Sequence, residues 1–212
     1  VADARAPVLG IGVGTPGVVD DHGVVLTAPN FGWTDVDLEG ALRARLDLPV
    51  LVANDANAAV LAEYTFGGAA DDVLVVRVGR GVGSGLLAGG QPLRGSRFAA
   101  GEIGHVTIDE NGPVCRCGNR GCLDTFVGSS ALSSAVAVTH GHLALRDLVA
   151  RALAGDPGCR RVVTDAGRHI GVAVAGVVNL LNPERVSIGG TLARTGDLLL
   201  DPIREGVERC AI

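Results

Sequence analysis

The sequence predicts an α/β fold, and three observations support this prediction. Short apolar segments that suit buried strands alternate with segments of helical spacing along the chain. Glycine accounts for 32 of the 212 residues, and many glycines fall where strands end and the chain must turn. Aromatic residues make up only 3% of the chain, so the core must consist of Val, Leu, Ile and Ala. Such a core suits a parallel sheet that is covered on both faces.

The order of the predicted elements suggests two lobes. Apolar segments predict strands over residues 8–14, 18–20, 23–26, 50–53, 73–78, 86–88 and 186–188. Helical spacing predicts helices over residues 38–46, 58–66, 145–154, 160–181 and 198–210. The clearest boundary follows Ala53. We therefore expect an N-terminal α/β lobe over residues 1–53 and a C-terminal α/β lobe over residues 54–212.

Charge and hydropathy exclude several functions for the chain acting alone. The net charge is −5 and the isoelectric point is near 5.5, whereas phosphate backbones of nucleic acids are bound by basic faces. No apolar run approaches the ~20 residues of a membrane span, and no segment resembles a signal peptide. We therefore expect a cytoplasmic protein that does not enter a membrane and whose thiols stay reduced.

A cluster of cysteines predicts a metal site. Three of the five cysteines lie within eight positions, and a histidine precedes them in the pattern His105-x9-Cys115-x-Cys117-x4-Cys122. Three thiolates and one imidazole form a complete tetrahedral ligand set for a structural zinc ion. Gly118 and Gly121 give the backbone the freedom to return to the ion. The alternative is three core cysteines that merely lie close together.

Glu102 and His105 predict a sugar site beside that metal. One ring nitrogen of His105 can bind zinc while the other donates a hydrogen bond, so the ion would fix the direction of the imidazole. Glu102 lies three positions earlier in the sequence. A carboxylate beside an imidazole N–H is suitable chemistry for neighbouring hydroxyls of a sugar.

The segment from Gly101 to Asp124 closely resembles the motif of the ROK family, which comprises sugar kinases and sugar-responsive transcriptional repressors. The resemblance covers nearly the whole chain and includes these segments: Gly14–Gly17, Pro29-Asn30, Asn54–Asn57, the glycine turn 79–85 and residues 179–190. It implies an actin-like, hexokinase-like (ribonuclease H-like) fold of two lobes. It also implies that the N-terminal lobe is only partly present in this chain.

The resemblance also implies roles for individual residues. Positions matching Glu102 and His105 bind sugar hydroxyls, and the position of His105 also ligates zinc. Further sugar contacts are implied for Asn30, Asn54, Asp55 and Asp124. Asp124 stands where the family usually has glutamate and is shorter by one methylene. In family kinases, the residue matching Asp55 is the base that deprotonates the attacking hydroxyl.

Three of these positions also have a purely structural explanation. Asp55 could be the N-cap of the helix that follows, because aspartate is favoured there. Asn30 could be a turn residue, and Gly79–Gly85 could be a plain connection between strands.

The resemblance leaves a choice between a regulator and an ATP-dependent sugar kinase. Kinases of the family carry a phosphate-binding hairpin at their N-terminus, and we expect it to be missing here. Their second phosphate turn reads Gly-Thr-Gly, whereas this chain has Gly79-Arg80-Gly81, and Gly189-Gly190 is followed by Thr191 instead of a third glycine. We therefore predict the sugar-sensing part of a repressor; ATP and Mg²⁺ are expected only for the kinase alternative.

The closing segment 196–209 looks most like the actinobacterial repressors of the family. The resemblance then implies a sugar or sugar-phosphate ligand, a homodimer or tetramer, and contact with DNA only through a winged helix-turn-helix domain that is not in this chain. We also expect the chain to be shortened at its C-terminus.

Overall fold

The computed structural model describes residues 7–29, 31–68 and 70–212. At its N-terminal end, strand β1 (Ile11–Thr15) pairs in parallel with β5 (Val50–Asn54), with Ile11 opposite Val50. Between them in sequence lies an antiparallel sheet in the order β2–β3–β4, whose strands are Val18–Val19, Val24–Ala28 and Trp33–Asp37. The predicted hairpin around residues 21 and 22 is confirmed as the β2–β3 connection, whereas β4 was not predicted.

Helix α1 (Leu38–Arg43) fastens these two sheets together. It begins where Asp37 accepts a hydrogen bond from the backbone N of Gly40 at 2.8 Å. Its Glu39 is buried and accepts from the N–H of Val52 at 3.0 Å, while Arg43 pairs with the same carboxylate at 2.8 Å. A buried carboxylate needs such partners, so Glu39 fixes α1 against β5.

The second part of the chain is built on a four-stranded sheet in the order β8–β7–β6–β9. The strands are β6 (Val73–Val78), β7 (Val82–Ala88), β8 (Gln91–Pro92) and β9 (Arg185–Gly189). β6 and β9 run parallel, and the other pairs are antiparallel. The predicted strand over residues 73–78 is confirmed at both ends.

Helices cover both faces of this sheet, as the prediction of a covered sheet expected. Helix α2 (Asp55–Phe66) covers one face, where Val73, Val75 and Leu87 pack with Val60. The other face carries Leu74, Val76, Val78 and Leu86 into a larger core that the remaining helices complete: α3 (Asp124–Val127), α4 (Ser129–His140), α5 (Leu145–Leu153), α6 (Pro157–Leu181) and α7 (Asp197–Cys210).

Close packing of α6 on α7 explains the small residues of the longest helix. A Cβ on Gly167 would lie 2.7 Å from the carbonyl oxygen of Leu199, and one on Gly171 would lie 2.8 Å from that of Ile203. Glycine lets the two backbones approach, which offsets its low helix propensity. None of the helices in the described part of the chain is both long enough and apolar enough to cross a membrane.

Several predicted boundaries were wrong, including those of β1, which begins at Ile11 rather than at residue 8, and α1, which ends at Arg43 rather than at residue 46. α2 begins three residues earlier than predicted, at Asp55, and α6 begins at Pro157 because Asp156 caps it through the N–H of Cys159. β7 begins at Val82 rather than at residue 86, so the glycine turn is shorter than predicted. Helix α4 was not predicted at all. The division of the chain after Ala53 stays a prediction.

Candidate functional site

The start of α2 places the first pair of predicted site residues. The N-cap is Asn54, whose Oδ1 accepts from the N–H groups of Ala56 and Asn57 at 2.9 and 3.0 Å. Its Nδ2 donates to the carbonyl of Gly17 at 2.8 Å. The interpretation of Asp55 as the N-cap is therefore wrong. Asn54 is the N-cap, and the side chain of Asp55 remains 47% exposed at the start of the helix.

Gly85 of β7 allows α2 to lie unusually close to the sheet. A Cβ on Gly85 would lie 2.4 Å from the carbonyl oxygen of Ala56, whereas one on Gly83 would meet only an ordinary contact of 3.5 Å with the Ala56 side chain. Both glycines belong to strand β7, although the sequence placed them in the segment that resembled a phosphate turn.

The opposite side of β7 seats the beginning of the 102–122 loop. The hydroxyl of Ser84 donates to the carbonyl of Gly101 at 2.6 Å. A short 3₁₀ turn, Ile103–His105, follows, and a Cβ on Gly104 would lie 2.2 Å from the carbonyl oxygen of Val82. Only glycine fits at position 104, so the contact with β7 fixes the positions of Glu102 and His105 on either side of it.

Glu102, His105 and Asp55 lie within electrostatic range of one another. Loss of hydration around the carboxyl raises the pKa of Glu102, the nearby imidazole of His105 lowers it, and the carboxylate of Asp55 raises it again. The structure therefore brings together three of the predicted sugar-binding side chains, from α2 and from the 102–122 loop, over strand β7.

The four predicted metal ligands converge. Their ligand atoms all lie within 4.8 Å of one another. The Sγ of Cys115 lies 3.7 Å from the Nδ1 of His105, and the Sγ atoms of Cys117 and Cys122 are 3.7 Å apart. A tetrahedral ion with bonds of about 2.3 Å separates its ligands by roughly 3.8 Å. The cluster therefore fits a metal ion, and Nδ1 is the ring nitrogen of His105 on the metal side.

The thiols of this cluster are unequal before a metal binds. Burial, helped by hydrogen bonding from the neighbouring thiols, raises the pKa of Cys122 to about 12. The pKa of Cys117, which is exposed, is lowered mainly by a hydrogen bond from the backbone N–H of Asn119. A cation would compensate the cost of ionising the buried thiol. This donor set therefore favours a bound ion over three free thiols.

The turn between the cysteines has the backbone form that the sequence predicted. Gly118 and Gly121 have positive φ values of 91° and 67°. The N–H of Cys115 donates to the carbonyl of Asn119 at 2.7 Å, which closes the turn. Space is also limited, since a Cβ on Gly121 would overlap the carbonyl of Asp109.

Asp124 and Gly104 both contact the backbone of Val82, at the start of β7. The Oδ1 of Asp124 accepts from the N–H of Val82 at 3.0 Å, while Gly104 packs on the carbonyl of that same residue. The side chain of Asp124 is 17% exposed, and Arg116 lies 4.0 Å from its second oxygen. One oxygen of Asp124 is therefore committed to the backbone, and the other faces the guanidinium of Arg116.

The predicted phosphate-turn residues lie at one edge of the sheet. Gly79–Gly81 follows β6, and Gly189 ends the parallel strand β9, opposite Arg77; Gly190 comes directly after the strand. The carboxyl ends of parallel strands are where ligands bind in α/β sheets. Gly190 also has a structural reason, because its φ is +92° and a Cβ would lie 2.3 Å from the carbonyl of Val78.

Arg80 gives this turn an unusual side chain for a phosphate site. Its carbonyl accepts from the N–H and the hydroxyl of Ser129, at 3.1 and 3.2 Å, so α4 fixes the turn. The guanidinium itself belongs to an exposed residue. The long cationic side chain of Arg80 therefore occupies the position where the kinases of the family that this chain resembles carry a threonine.

Arg77 is a site residue that sequence reasoning missed. Its Nη1 lies 3.2 Å from the carbonyl oxygen of Asp55 and 3.4 Å from its Oδ2. The detectable signal was a charged residue inside the apolar segment 73–78, which is unusual for a strand buried on both faces. Asn30, also predicted for the sugar site, lies outside the described residues.

The fold and the site together define an α/β protein of the actin-like, hexokinase-like class. The sequence profile of the ROK family matches residues 2–212, and the chain belongs to that family.

Known relatives fall into two groups. The chain is 37% identical to a glucokinase of Halalkalibacterium halodurans over 99% of this chain and 69% of the relative. It is 35% identical to a xylose repressor of Caldicellulosiruptor bescii over 95% of this chain and 55% of the relative. The chain thus spans about half the length of the repressor and about two thirds of the glucokinase.

Solved structures divide in the same way. A ROK family transcriptional regulator, a homologue of the E. coli MLC protein, superposes with a TM-score of 0.86 at 32% identity, covering 96% of this chain and 55% of that one. A ROK family glucokinase from Streptomyces griseus in complex with glucose and AMPPNP gives 0.89 at 31% identity, covering 98% and 73%. Likeness alone therefore leaves both branches of the family open.

Proposed function

We propose that this chain is the sugar-sensing part of a ROK transcriptional regulator. In this proposal a sugar binds to Asn30, Asn54, Asp55, Glu102, His105 and Asp124 and modulates DNA binding by a domain elsewhere in the protein. The xylose repressors and the regulator among its relatives support the proposal. It includes a cytoplasmic location, where a reducing environment keeps the three thiols available for a metal.

The pairing of Arg77 with Asp55 is the observation that carries the proposal. A general base must have a free oxygen within reach of the proton that it removes. Here a guanidinium 3.4 Å away competes for Oδ2 of Asp55. Both side chains are nearly half exposed, so the pair is worth only about 0–1 kcal/mol. A sugar hydroxyl could therefore displace Arg77 to bind Asp55, but catalysis would face a competing cation.

We infer that the metal is zinc, held by His105, Cys115, Cys117 and Cys122. Three thiolates and an imidazole are the donors that this ion prefers, and the separations between the donor atoms fit a tetrahedral site. The bound ion would supply stability to the loop rather than chemistry. Because Nδ1 of His105 faces the metal, Nε2 is left for a sugar hydroxyl, beside the carboxylate of Glu102.

Sugar binding can be coupled to movement because the site combines elements with different supports. Asp55 follows Asn54, whose amide is bonded to Gly17 in the β1–β2 connection. Glu102 and His105 are seated on β7. A ligand that bridges these groups favours the arrangement in which they are closest, and so shifts a conformational equilibrium. We propose that a homodimer or tetramer transmits this shift to DNA.

An ATP-dependent hexose kinase is the second candidate, favoured by the glucokinases among the relatives. Asp55 would then be the base, and Gly79, Gly81, Gly189 and Gly190 would approach the phosphates of ATP with Mg²⁺.

The test uses the intact protein with its metal. We expect glucose or xylose to raise its melting temperature, and Glu102→Ala to abolish that shift without unfolding the protein. Incubation with ATP, Mg²⁺ and either sugar should yield no sugar phosphate above a no-enzyme control. ATP-dependent formation of a sugar phosphate that Asp55→Asn removes would instead establish the kinase.

A further inference from the structure

A pocket of about 700 Å³ lies between the 102–122 loop and helices α3, α4 and α6, and Asp124 is one of its lining residues. This volume is within the range of small-molecule sites and is generous for a single sugar ring. The residues that matter for its chemistry are Arg116, Asp124, Phe126, Ser130, Ser134 and His169. No step of the proposed function uses this space.

Asp124 connects the pocket to the predicted sugar site. Its Oδ1 is bonded to the N–H of Val82, and the residue also lines the pocket. Cys115 lines the pocket as well, on the metal side of His105, where its Sγ lies 3.7 Å from Nδ1. A molecule that extends from the sugar site past Asp124 would therefore enter the pocket.

One wall of the pocket is aromatic and apolar. The rings of Phe126 and His169 are tilted by 41° with centroids 4.8 Å apart, and Leu132, Val162 and Ala166 continue the wall. Flat rings of this kind suit the C–H face of a pyranose, which is apolar although its edge carries hydroxyls. The chain contains few aromatic residues, so a ring at this position is informative.

The other walls offer hydrogen-bonding groups. Ser130 and Ser134 are exposed on α4, and Arg116 stands at the rim 4.0 Å from Asp124. The Nδ1 of His169 is a buried nitrogen that has no hydrogen-bond partner within the described ranges. Orphaned groups of this kind are rare in folded proteins. A polar ligand beside the ring is one way in which the imidazole acquires a partner.

We propose that this pocket binds the second ring of a disaccharide whose first ring occupies the site at Glu102 and His105. The inference rests on the proposed sugar site and names its ligand class. The first ring would hydrogen-bond to Glu102, His105 and the Oδ2 of Asp124, in competition with Arg116. The second ring would stack on Phe126 and His169, with its hydroxyls towards Ser130 and Ser134.

Calorimetric titration of the intact, zinc-loaded protein tests the proposal with matched sugars. The probes are glucose against maltose and cellobiose, and xylose against xylobiose. We expect one disaccharide to bind at least tenfold more tightly than its monosaccharide. Ser134→Trp should remove this advantage by filling the pocket, with the monosaccharide affinity unchanged within twofold. Tryptophan and serine have similar helix propensities, so the exposed helix should tolerate the change.

Val138→Trp is the matched control, because Val138 lies on the same helix, is 98% exposed and does not line the pocket. It should keep the disaccharide advantage. The inference is overturned if a monosaccharide binds but no disaccharide binds more tightly, or if Ser134→Trp leaves the advantage intact. Tighter binding of a nitrophenyl glycoside but of no disaccharide would also overturn the proposal, because the pocket would then prefer an aromatic group to a second sugar ring. If no sugar binds at all, the proposed sugar site itself is wrong.

Discussion

Replacing Gly104 by alanine tests whether the contact of the 102–122 loop with β7 positions the proposed sugar-binding side chains. The added Cβ would lie 2.2 Å from the carbonyl oxygen of Val82. This oxygen belongs to a strand that is paired with β6 and cannot rotate away. To restore an ordinary van der Waals separation, the turn Ile103–His105 must retreat by about 1 Å.

That displacement sets the expected magnitudes. Overpacking of a well-packed contact costs about 1–3 kcal/mol in the free energy of unfolding. A hydrogen bond of ordinary length that lengthens by about 1 Å is effectively lost. Loss of one bond from Glu102 or His105 to a sugar hydroxyl, at about 1.5–3 kcal/mol for a charged partner, corresponds to roughly 10- to 100-fold weaker binding.

The assay combines urea denaturation with calorimetric titration of the sugar that stabilises the parent protein. Gly83→Ala is the control, because it is the same substitution on the same strand but meets only an ordinary contact of 3.5 Å with Ala56. We expect the control to keep both stability and sugar affinity. Parental stability and affinity in Gly104→Ala would refute the argument that this contact positions the site.

Three further predictions follow from other contacts. Elemental analysis should find one zinc per chain, and Cys117→Ser should remove it; since Cys117 is exposed, the loss would reflect ligation and not core packing. Arg77→Ala should strengthen sugar binding by up to about fivefold, as expected when an exposed ion pair worth at most about 1 kcal/mol no longer competes for Asp55; weaker binding would contradict the competition. Hydrogen bonds from the N–H of Cys159 and from His140 lower the pKa of Asp156 to about 2, from an ordinary value of 3.8. Because the folded-state pKa is depressed, this group stabilises the fold above about pH 4 and loses that effect as the pH falls towards 2. Asp156→Asn keeps an acceptor for the helix cap, so it should flatten the acid dependence of the urea midpoint between pH 4 and 2 while leaving the fold intact.

The sequence predicted those parts of the fold that local patterns determine. The strand over residues 73–78 is an uninterrupted apolar segment, and the metal cluster depends on three cysteines within one tight turn. Helix α4 escaped prediction because only Leu132 and Val136 are buried among its twelve residues. Its serines and alanines produce no apolar stripe wide enough to recognise.

Other features depend on contacts between distant segments, which no local pattern contains. The pairing of Arg77 with Asp55 joins residues 22 positions apart, and the bond from Val82 to Asp124 spans 42. The alternative that made Asp55 the N-cap of α2 was wrong for a similar reason. Both residues are good caps, and the bond from Asn54 to Gly17 favours Asn54 only once the fold is formed.

Strand β7 explains why a sensor and a kinase can share this scaffold. Gly85 admits α2 on one side, and the backbone of β7 admits Gly101 and Gly104 on the other, so the proposed sugar-binding groups are positioned independently of a phosphate site. Transfer of a phosphoryl group makes an additional demand, because the base at Asp55 must have an unoccupied oxygen. In the proposed sensor, the guanidinium 3.4 Å from that oxygen would oppose transfer more than recognition. We therefore expect the difference between the two functions to lie at Arg77, near the end of β6, and at Arg80 in the turn that follows.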